Sequence, residues 1–286
     1  MKFLGFTFII ISAISFGLMP IFATLCYKSG LDIKTILLFR FLIAAILINI
    51  YIILKGYSYP RGKLLIMLFF MGAVLYSAQA FLYFSAVGLI GSSLTSILLY
   101  LYPSIVLFLS VILLKTKVYK QDILALIFTT IGAILVVGIR FENINLLGII
   151  FGISAALVYS VYIVVGTKAM QGTTPIVGTG VILFGASSIY VIYGLSTKIT
   201  IPNTFEQWGW IFAITVISTL VAIITFFAGL KLIGPVKASM ISTFELVVTL
   251  VCAYLILGEK IEFIQIAGGV FILISALILA KEKVKS

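Results

Sequence analysis

Ten largely apolar runs, each about as long as a bilayer is thick, leave this 286-residue chain few ways to fold. A helix needs roughly 20 apolar residues to cross a hydrocarbon core of about 30 Å. Runs of that length predict helices over 3–26, 34–54, 64–87, 92–114, 121–139, 146–168, 176–195, 208–232, 236–257 and 262–280. A barrel strand would alternate polar and apolar residues over about ten positions, and no run does so. Only 9% of the residues are charged, against about 25% where a surface must face water. The first run exceeds the 7–15 residues of a signal-peptide core. No small-x-small cleavage site follows it, and Leu25 argues against a lipoprotein reading of Cys26. The expected fold class is therefore an all-α membrane protein of ten transmembrane helices.

The basic residues predict the orientation. With the N-terminus inside, the inner segments carry Lys2; Lys55, Arg61 and Lys63; Lys115, Lys117 and Lys120; Lys168; Lys231 and Lys237; and Lys281, Lys283 and Lys285. That is 13 of the 19 basic residues, against five outside: Lys28, Lys34, Arg140, Lys198 and Lys260. Positively charged loops stay in the cytoplasm, so both termini are expected there and the host is the cell membrane. The net charge of +11 is then largely a topology signal. A nucleic-acid partner would need a clustered basic face on a soluble domain, and none of the loops is long enough to form a domain.

Catalytic chemistry has little to draw on. The chain has no histidine, and its two cysteines, Cys26 and Cys252, have no metal-ligand spacing. They read as buried apolar side chains. There is no Gly-rich phosphate loop, GxSxG elbow or paired-carboxylate motif. The expectation is a protein that is not an enzyme and needs no cofactor or metal.

The chain also resembles itself. Ile11-Ser12-Ala13, Ile21 and Gly30 match Ile153-Ser154-Ala155, Ile163 and Gly172 at a shift of 142. At a shift of 143, Phe84, Leu89-Ile90-Gly91 and Ser96 match Phe227, Leu232-Ile233-Gly234 and Ser239. A nearly constant register across distant windows predicts two five-helix repeats, residues 1–143 and 144–286. Five crossings send the second repeat into the membrane from the opposite side, which makes the repeats inverted, as in many secondary transporters.

Five plus five helices with these patterns resemble the EamA family of the drug/metabolite transporter superfamily. The residues that carry the resemblance are Ser12-Ala13 and Gly17, Phe39-Arg40-Phe41-Leu42, Ala86 to Gly91, Tyr102-Pro103, Glu245 and Gly258-Glu259. It covers essentially the whole chain. Two positions depart from the pattern: Leu246 stands where the family often has proline, and Thr116 where it often has glutamate. The resemblance implies a metabolite transporter, often an exporter, and leaves the substrate open.

Two charges fall inside helices. Glu245 lies near the middle of the ninth, where a carboxylate costs about 2.5–3.5 kcal/mol on insertion scales and must turn inward. It is expected to bind substrate or a coupling proton; the bland alternative is a hydrogen-bonded structural carboxyl. Arg40 lies roughly 9 Å into the second helix at 1.5 Å per residue. It is shallow enough to snorkel outward or reach Asp32. The sharper reading turns it inward to meet a substrate anion or Glu245. At the 143 shift Glu245 corresponds to Tyr102, so a site on the pseudo-twofold axis would receive both.

Other polar side chains at similar depth are candidate walls: Tyr76, Gln79 and Tyr83 on the third helix, Tyr100 and Tyr102 on the fourth, Tyr159 and Tyr162 on the sixth. Gln79 shares a face with Tyr83 four residues on and with Tyr76 three before. Its amide would go unpaired in lipid, so this face should point inward. Tyr27, Tyr51, Tyr57 and Tyr193 sit at helix ends and read as interfacial belts. Gly148, Gly152 and Ala156 form a small-residue face for close helix packing. Pro20 and Pro103 permit bends. Ser12, Ser15, Thr219 and Thr225 read as bonding their own helices.

The expected function is secondary transport by alternating access, in the exporting direction. The favoured substrate is a zwitterion or organic cation such as an amino acid, because one acid and a tyrosine wall suit an ammonium group. Arg40 alone could not hold a dianion. Protons are the candidate coupling ion, and the protein is a monomer or homodimer in the lipid bilayer. The alternatives are a channel or facilitator for small solutes and a membrane scaffold without transport.

Overall fold

The structure, a computed structural model, describes residues 2–138, 145–197 and 199–281. Ten helices are long and apolar enough to cross a membrane: α1 Phe3–Lys28, α2 Ile33–Leu54, α3 Lys63–Gly91, α4 Leu94–Leu114, α5 Lys120–Val137, α6 Leu146–Gly172, α7 Pro175–Leu195, α8 Phe205–Ile233, α9 Pro235–Leu257 and α10 Phe263–Ala280. No strand occurs among the described residues. The expected spans are all present, with ends moved by at most four residues. The third runs to Gly91 rather than to 87, and the eighth begins at Phe205 rather than at 208. The last residue expected in the fifth, Ile139, lies outside the described residues, as do Arg140, Lys198, Lys283 and Lys285.

Helix ends are set by side chains that supply what the first turn lacks. Asp32 accepts from the Thr35 amide at 2.8 Å, so it caps α2 and makes no bond to Arg40. Thr174 caps α7 ahead of Pro175, and Thr204 with Gln207 forms a capping box on α8. Gln207 also donates through Nε2 to Ser29 O at 2.8 Å, and Thr35 Oγ1 exchanges bonds with Thr200. These contacts tie the α1–α2 and α7–α8 connections together.

Large apolar side chains cover the outside of the bundle, with Phe81 at 68% and Phe108 at 62% exposure in the middle of their helices. That surface suits lipid and not water. Small polar side chains sit inside and join helices: Thr129 and Ser275 meet at 2.7 Å between α5 and α10, and Ser12 donates to Ala222 O of α8 at 2.8 Å. The Ser12 bond corrects the expectation that this hydroxyl serves its own helix. A crossing neighbour offers a carbonyl, and in lipid either acceptor satisfies the donor. Thr225 does bond its own helix.

The main helix pairs cross between the halves of the chain: α1 packs on α8, α6 on α3, α2 on α7, and α5 on α10. Neither half therefore buries its apolar faces alone. Gly148 and Gly152 of α6 lie against Leu89, Ile90 and Leu98, and Ala156 is buried, as the small-residue face predicts. At the α5–α10 crossing, a Cβ on Gly132 would come within 2.8 Å of Gly268 O, and one on Gly268 within 2.7 Å of Gly132 O. Backbone cannot yield as a flexible side chain can. Gly132→Val is expected to destabilise by about 1–3 kcal/mol or more. Gly269→Ala, whose new carbon would lie 3.8 Å from Val247, should leave the thermal midpoint in detergent unchanged.

The helices depart from regularity at matching places in the two halves. Gly91 and Gly234 both turn the chain with positive φ, 78° and 81°, a conformation open to glycine because it has no Cβ. π-helical turns occupy Met71–Tyr76 of α3 and Val216–Val221 of α8. A break at Tyr100–Leu101 interrupts α4, and one at Thr243–Phe244 interrupts α9. Both helices end in a left-handed residue, Lys115 and Gly258. Pro103 accompanies the α4 break, whereas α9 breaks without a proline. There the Leu246 amide bonds Thr243 O and the Thr243 hydroxyl bonds Met240 O, so a tight turn replaces the ring's effect. A further break, at Leu18 just ahead of Pro20, interrupts α1.

Candidate functional site

The break in α9 decides where Glu245 stands. Instead of lying within a continuous helix, it opens the helical segment Glu245–Cys252. A Cβ on Gly17 would come within 2.7 Å of Glu245 O, so α1 crosses α9 at that residue. Thr249 Oγ1 bonds both Gly17 O and Glu245 O, at 2.8 and 2.9 Å. The carbonyl released where α1 bends is thereby satisfied by α9. The Glu245 carboxyl accepts one hydrogen bond, from Tyr100 Oη at 2.8 Å. The residue is half-buried, and among the described residues Tyr100 is the partner of its side chain. Tyr83, Tyr102 and Tyr159 also lie within Coulombic range of it.

A ladder of aromatic rings leads away from the carboxyl. Tyr100 and Tyr102 have centroids 6.1 Å apart, Tyr102 and Tyr159 4.9 Å, Tyr159 and Tyr162 6.2 Å, and Tyr162 and Tyr76 5.5 Å. Offset and edge-to-face pairs at such separations contribute about 0.5–1.5 kcal/mol each beyond their buried area. Tyr102 is 1% exposed and donates to Ser239 O at 2.9 Å, so it supports the wall from behind. Tyr76, Tyr83, Tyr100 and Tyr159 are half-buried and present partial surfaces. The buried Tyr162 hydroxyl has no hydrogen-bond partner among the described residues.

Arg40 stands at the other end of this ladder. It is 5% exposed, so the snorkelling alternative does not hold. Its Nε donates to Thr219 Oγ1, Nη1 approaches Met19 Sδ at 3.1 Å, and Nη2 reaches Tyr76 Oη at 3.3 Å and Ser218 O at 3.5 Å. Its carbon lies 5.0 Å from the Phe41 ring centroid. Tyr76 ends one π-turn, and Ser218 and Thr219 belong to the other. The guanidinium is therefore gripped between two π-turns, where helices are wound wide, a geometry frequent at functional sites. Among the described residues no carboxylate is in contact with it, and no ion pair joins it to Glu245. A buried guanidinium costs at least about 2.5–3.5 kcal/mol in a bilayer. Charge-assisted hydrogen bonds of about 1.5–3 kcal/mol each can offset this, but they leave the charge itself uncompensated.

Gln79 is half-buried and has no hydrogen-bond partner among the described residues. Tyr83 pairs with Ser96 at 3.2 Å across the Gly91 turn. The structure thus gathers Glu245, Tyr83, Tyr102 and Tyr159 at one end and Arg40 with Tyr76 at the other. Met19, which helps complete the Arg40 environment, carries no sequence signal. Thr219 bonds its own helix at Ile214 O as expected, but its second role on Arg40 is hidden, because a π-turn is not legible in an apolar run. Among the described residues no group of three His, Cys, Asp or Glu could hold a metal.

The profile of the EamA-like transporter family matches the chain twice, over residues 3–138 and 146–281. The uncharacterized transporter YcbK of Bacillus subtilis (strain 168) is 24% identical over 288 residues, covering 96% of this chain and 92% of its own. Protein PecM of Dickeya dadantii (strain 3937) is 27% identical over 234 residues, covering 81% of this chain and 78% of its own. A protein of known crystal structure shares the fold with a TM-score of 0.81 at 15% identity, over 97% of this chain and 95% of that one. With both matched segments spanning nearly all of the ten-helix chain, this protein belongs to the EamA-like transporter family.

Proposed function

We propose that this protein is a secondary carrier that exports a small amine-bearing metabolite, such as an amino acid, by alternating access around Glu245. The observation that carries the reading is a half-buried carboxyl deep among the helices, held by a single hydrogen bond and faced by tyrosines. The substrate ammonium meets Glu245 and its apolar body lies on Tyr159 and Tyr76 near Gln79 and Tyr83. Arg40 stands at the far end of the ladder. It receives an anionic group only from a substrate that carries one at the end of a long side chain, because the α-carboxylate of an amino acid shares a carbon with its ammonium. Tyr102 backs this wall. Cations over such rings gain about 0.5–2 kcal/mol.

Alternating access needs two arrangements of similar energy about one site. Inverted five-helix repeats, residues 1–143 and 144–286, provide them by symmetry. The double family match and the paired irregularities at Gly91 and Gly234, and at Tyr100–Leu101 and Thr243–Phe244, support that relation. In this reading both termini are cytoplasmic, protons are the coupling ion, and the breaks near Pro20 and Pro103 with the Gly91 turn absorb the motion.

Proteoliposomes test the proposal. Saturable uptake of a labelled amino acid without ATP is the expected result. Ohmic current would mean a channel, and no flux of any amine would remove the carrier. The Gln207–Ser29 contact gives a handle on the motion. A flexible, reducible bis-thiosulfonate linker joining Ser29→Cys and Gln207→Cys should abolish turnover, and its reduction should restore it. Cycling at the native rate while crosslinked would overturn alternating access at this end.

A further inference from the structure

A second site lies on the outside of the bundle. A groove of about 530 Å³ runs between α2, α3 and α7, lined by Asn49, Tyr59, Leu65, Ile66, Phe69 and Phe184 among others. A neighbouring groove of about 280 Å³ shares Asn49 and Phe184. The larger volume lies within the range of ligand clefts, about 300–1,000 Å³. Its walls are apolar, and Ile66 and Phe184 are 68% and 56% exposed toward the bilayer. The groove is fixed from within. Tyr59 Oη donates to Asn49 Oδ1 at 2.7 Å, while Asn49 Nδ2 donates to Ala45 O at 2.8 Å and to Gly180 O of α7 at 3.2 Å. The polar atoms are consumed by one another, which leaves a wall suited to hydrocarbon.

The mouth of the groove is charged, and with one sign. The α2–α3 connection that supplies Tyr59 also carries Lys55, Arg61 and Lys63, all exposed and none held by a hydrogen bond or ion pair among the described residues. No acidic residue occurs between Asp32 and Asp122. Exposed bases beside a lipid-facing apolar groove attract anionic headgroups. We infer that this groove is a binding site for an anionic phospholipid, its acyl chain along Phe69 and Phe184 and its headgroup on Lys55, Arg61 and Lys63.

The inference is tested with a Phe184→Trp reporter in vesicles of phosphatidylcholine containing a small fraction of chain-brominated phosphatidylglycerol or chain-brominated phosphatidylcholine. The protein without the reporter is measured in parallel to subtract Trp208 and Trp210. Brominated phosphatidylglycerol should quench the reporter at lower mole fraction, by about fivefold for each basic residue in contact. Lys55→Gln, Arg61→Gln and Lys63→Gln should each lose about that factor. If those variants fail to fold or insert, the charged protein alone decides, because ~1 M salt shortens the Debye length to ~3 Å and should erase the preference. Equal quenching by the two lipids, a preference that survives salt or neutralisation, or no quenching by either overturns the site.

Discussion

Glu245→Gln is expected to lower the affinity for an amine-bearing substrate about 10- to 150-fold, the loss of one charge-assisted hydrogen bond of about 1.5–3 kcal/mol. Glutamine keeps the shape and can still accept from Tyr100, so the Tyr100–Glu245 contact at 2.8 Å is preserved in kind. What disappears is the negative charge and the titratable proton. Proteoliposome uptake with and without a pH gradient separates the roles. A fall in affinity assigns the ammonium contact. Unchanged binding with loss of pH-driven accumulation, while exchange remains, assigns proton coupling. Native transport with reduced thermal stability assigns a structural carboxyl, and the ammonium contact then passes to Gln79 and the tyrosines.

Arg40→Gln is expected to cost a comparable 10- to 150-fold in affinity for a substrate whose carboxylate ends a long side chain remote from its ammonium. The same substrate with its carboxyl amidated should bind both proteins alike. The contrast matters because Arg40 has a second candidate role. It joins α2 to the π-turns of α3 and α8 through Tyr76, Ser218 and Thr219, and a clamp of that kind would affect both substrates equally. Equal losses would therefore sink the anion contact. Arg40→Lys should recover part of the function, since it keeps the charge but lacks the planar fork. Removing an uncompensated buried charge does not have to destabilise the protein, so the thermal midpoint alone is not the readout.

Much of the architecture was legible in the sequence because a bilayer imposes one rule on every span. Backbone polar groups must be satisfied within the segment, so a 20-residue apolar run has to be a helix. Gly148, Gly152 and Ala156 announced a packing face for the same kind of reason: only small side chains let helices approach closely. Glu245 was legible as an inward-facing group because a carboxylate in lipid is costly, and the depth of Gln79 and the tyrosines drew attention to one region. Arg40 was not settled, because its depth of roughly 9 Å allows both a snorkelling and an inward rotamer.

Tertiary packing decided what apolar sequence leaves open. Leu246 offers no hint that α9 breaks beside it; the break rests on Thr243 bonding backwards to Met240 and on α1 crossing at Gly17. The π-turns at Met71–Tyr76 and Val216–Val221 have no residue signature, yet they bring Tyr76 and Thr219 onto Arg40. Ser12 likewise had two acceptors within reach, and the neighbouring helix took it. Hydropathy counts how much apolar surface each helix has, and by itself that determined ten helices and the depth of each polar group. Which groups meet depends on helix rotation, bends and crossing points, and those follow from contacts between the two halves of the chain that no single run contains.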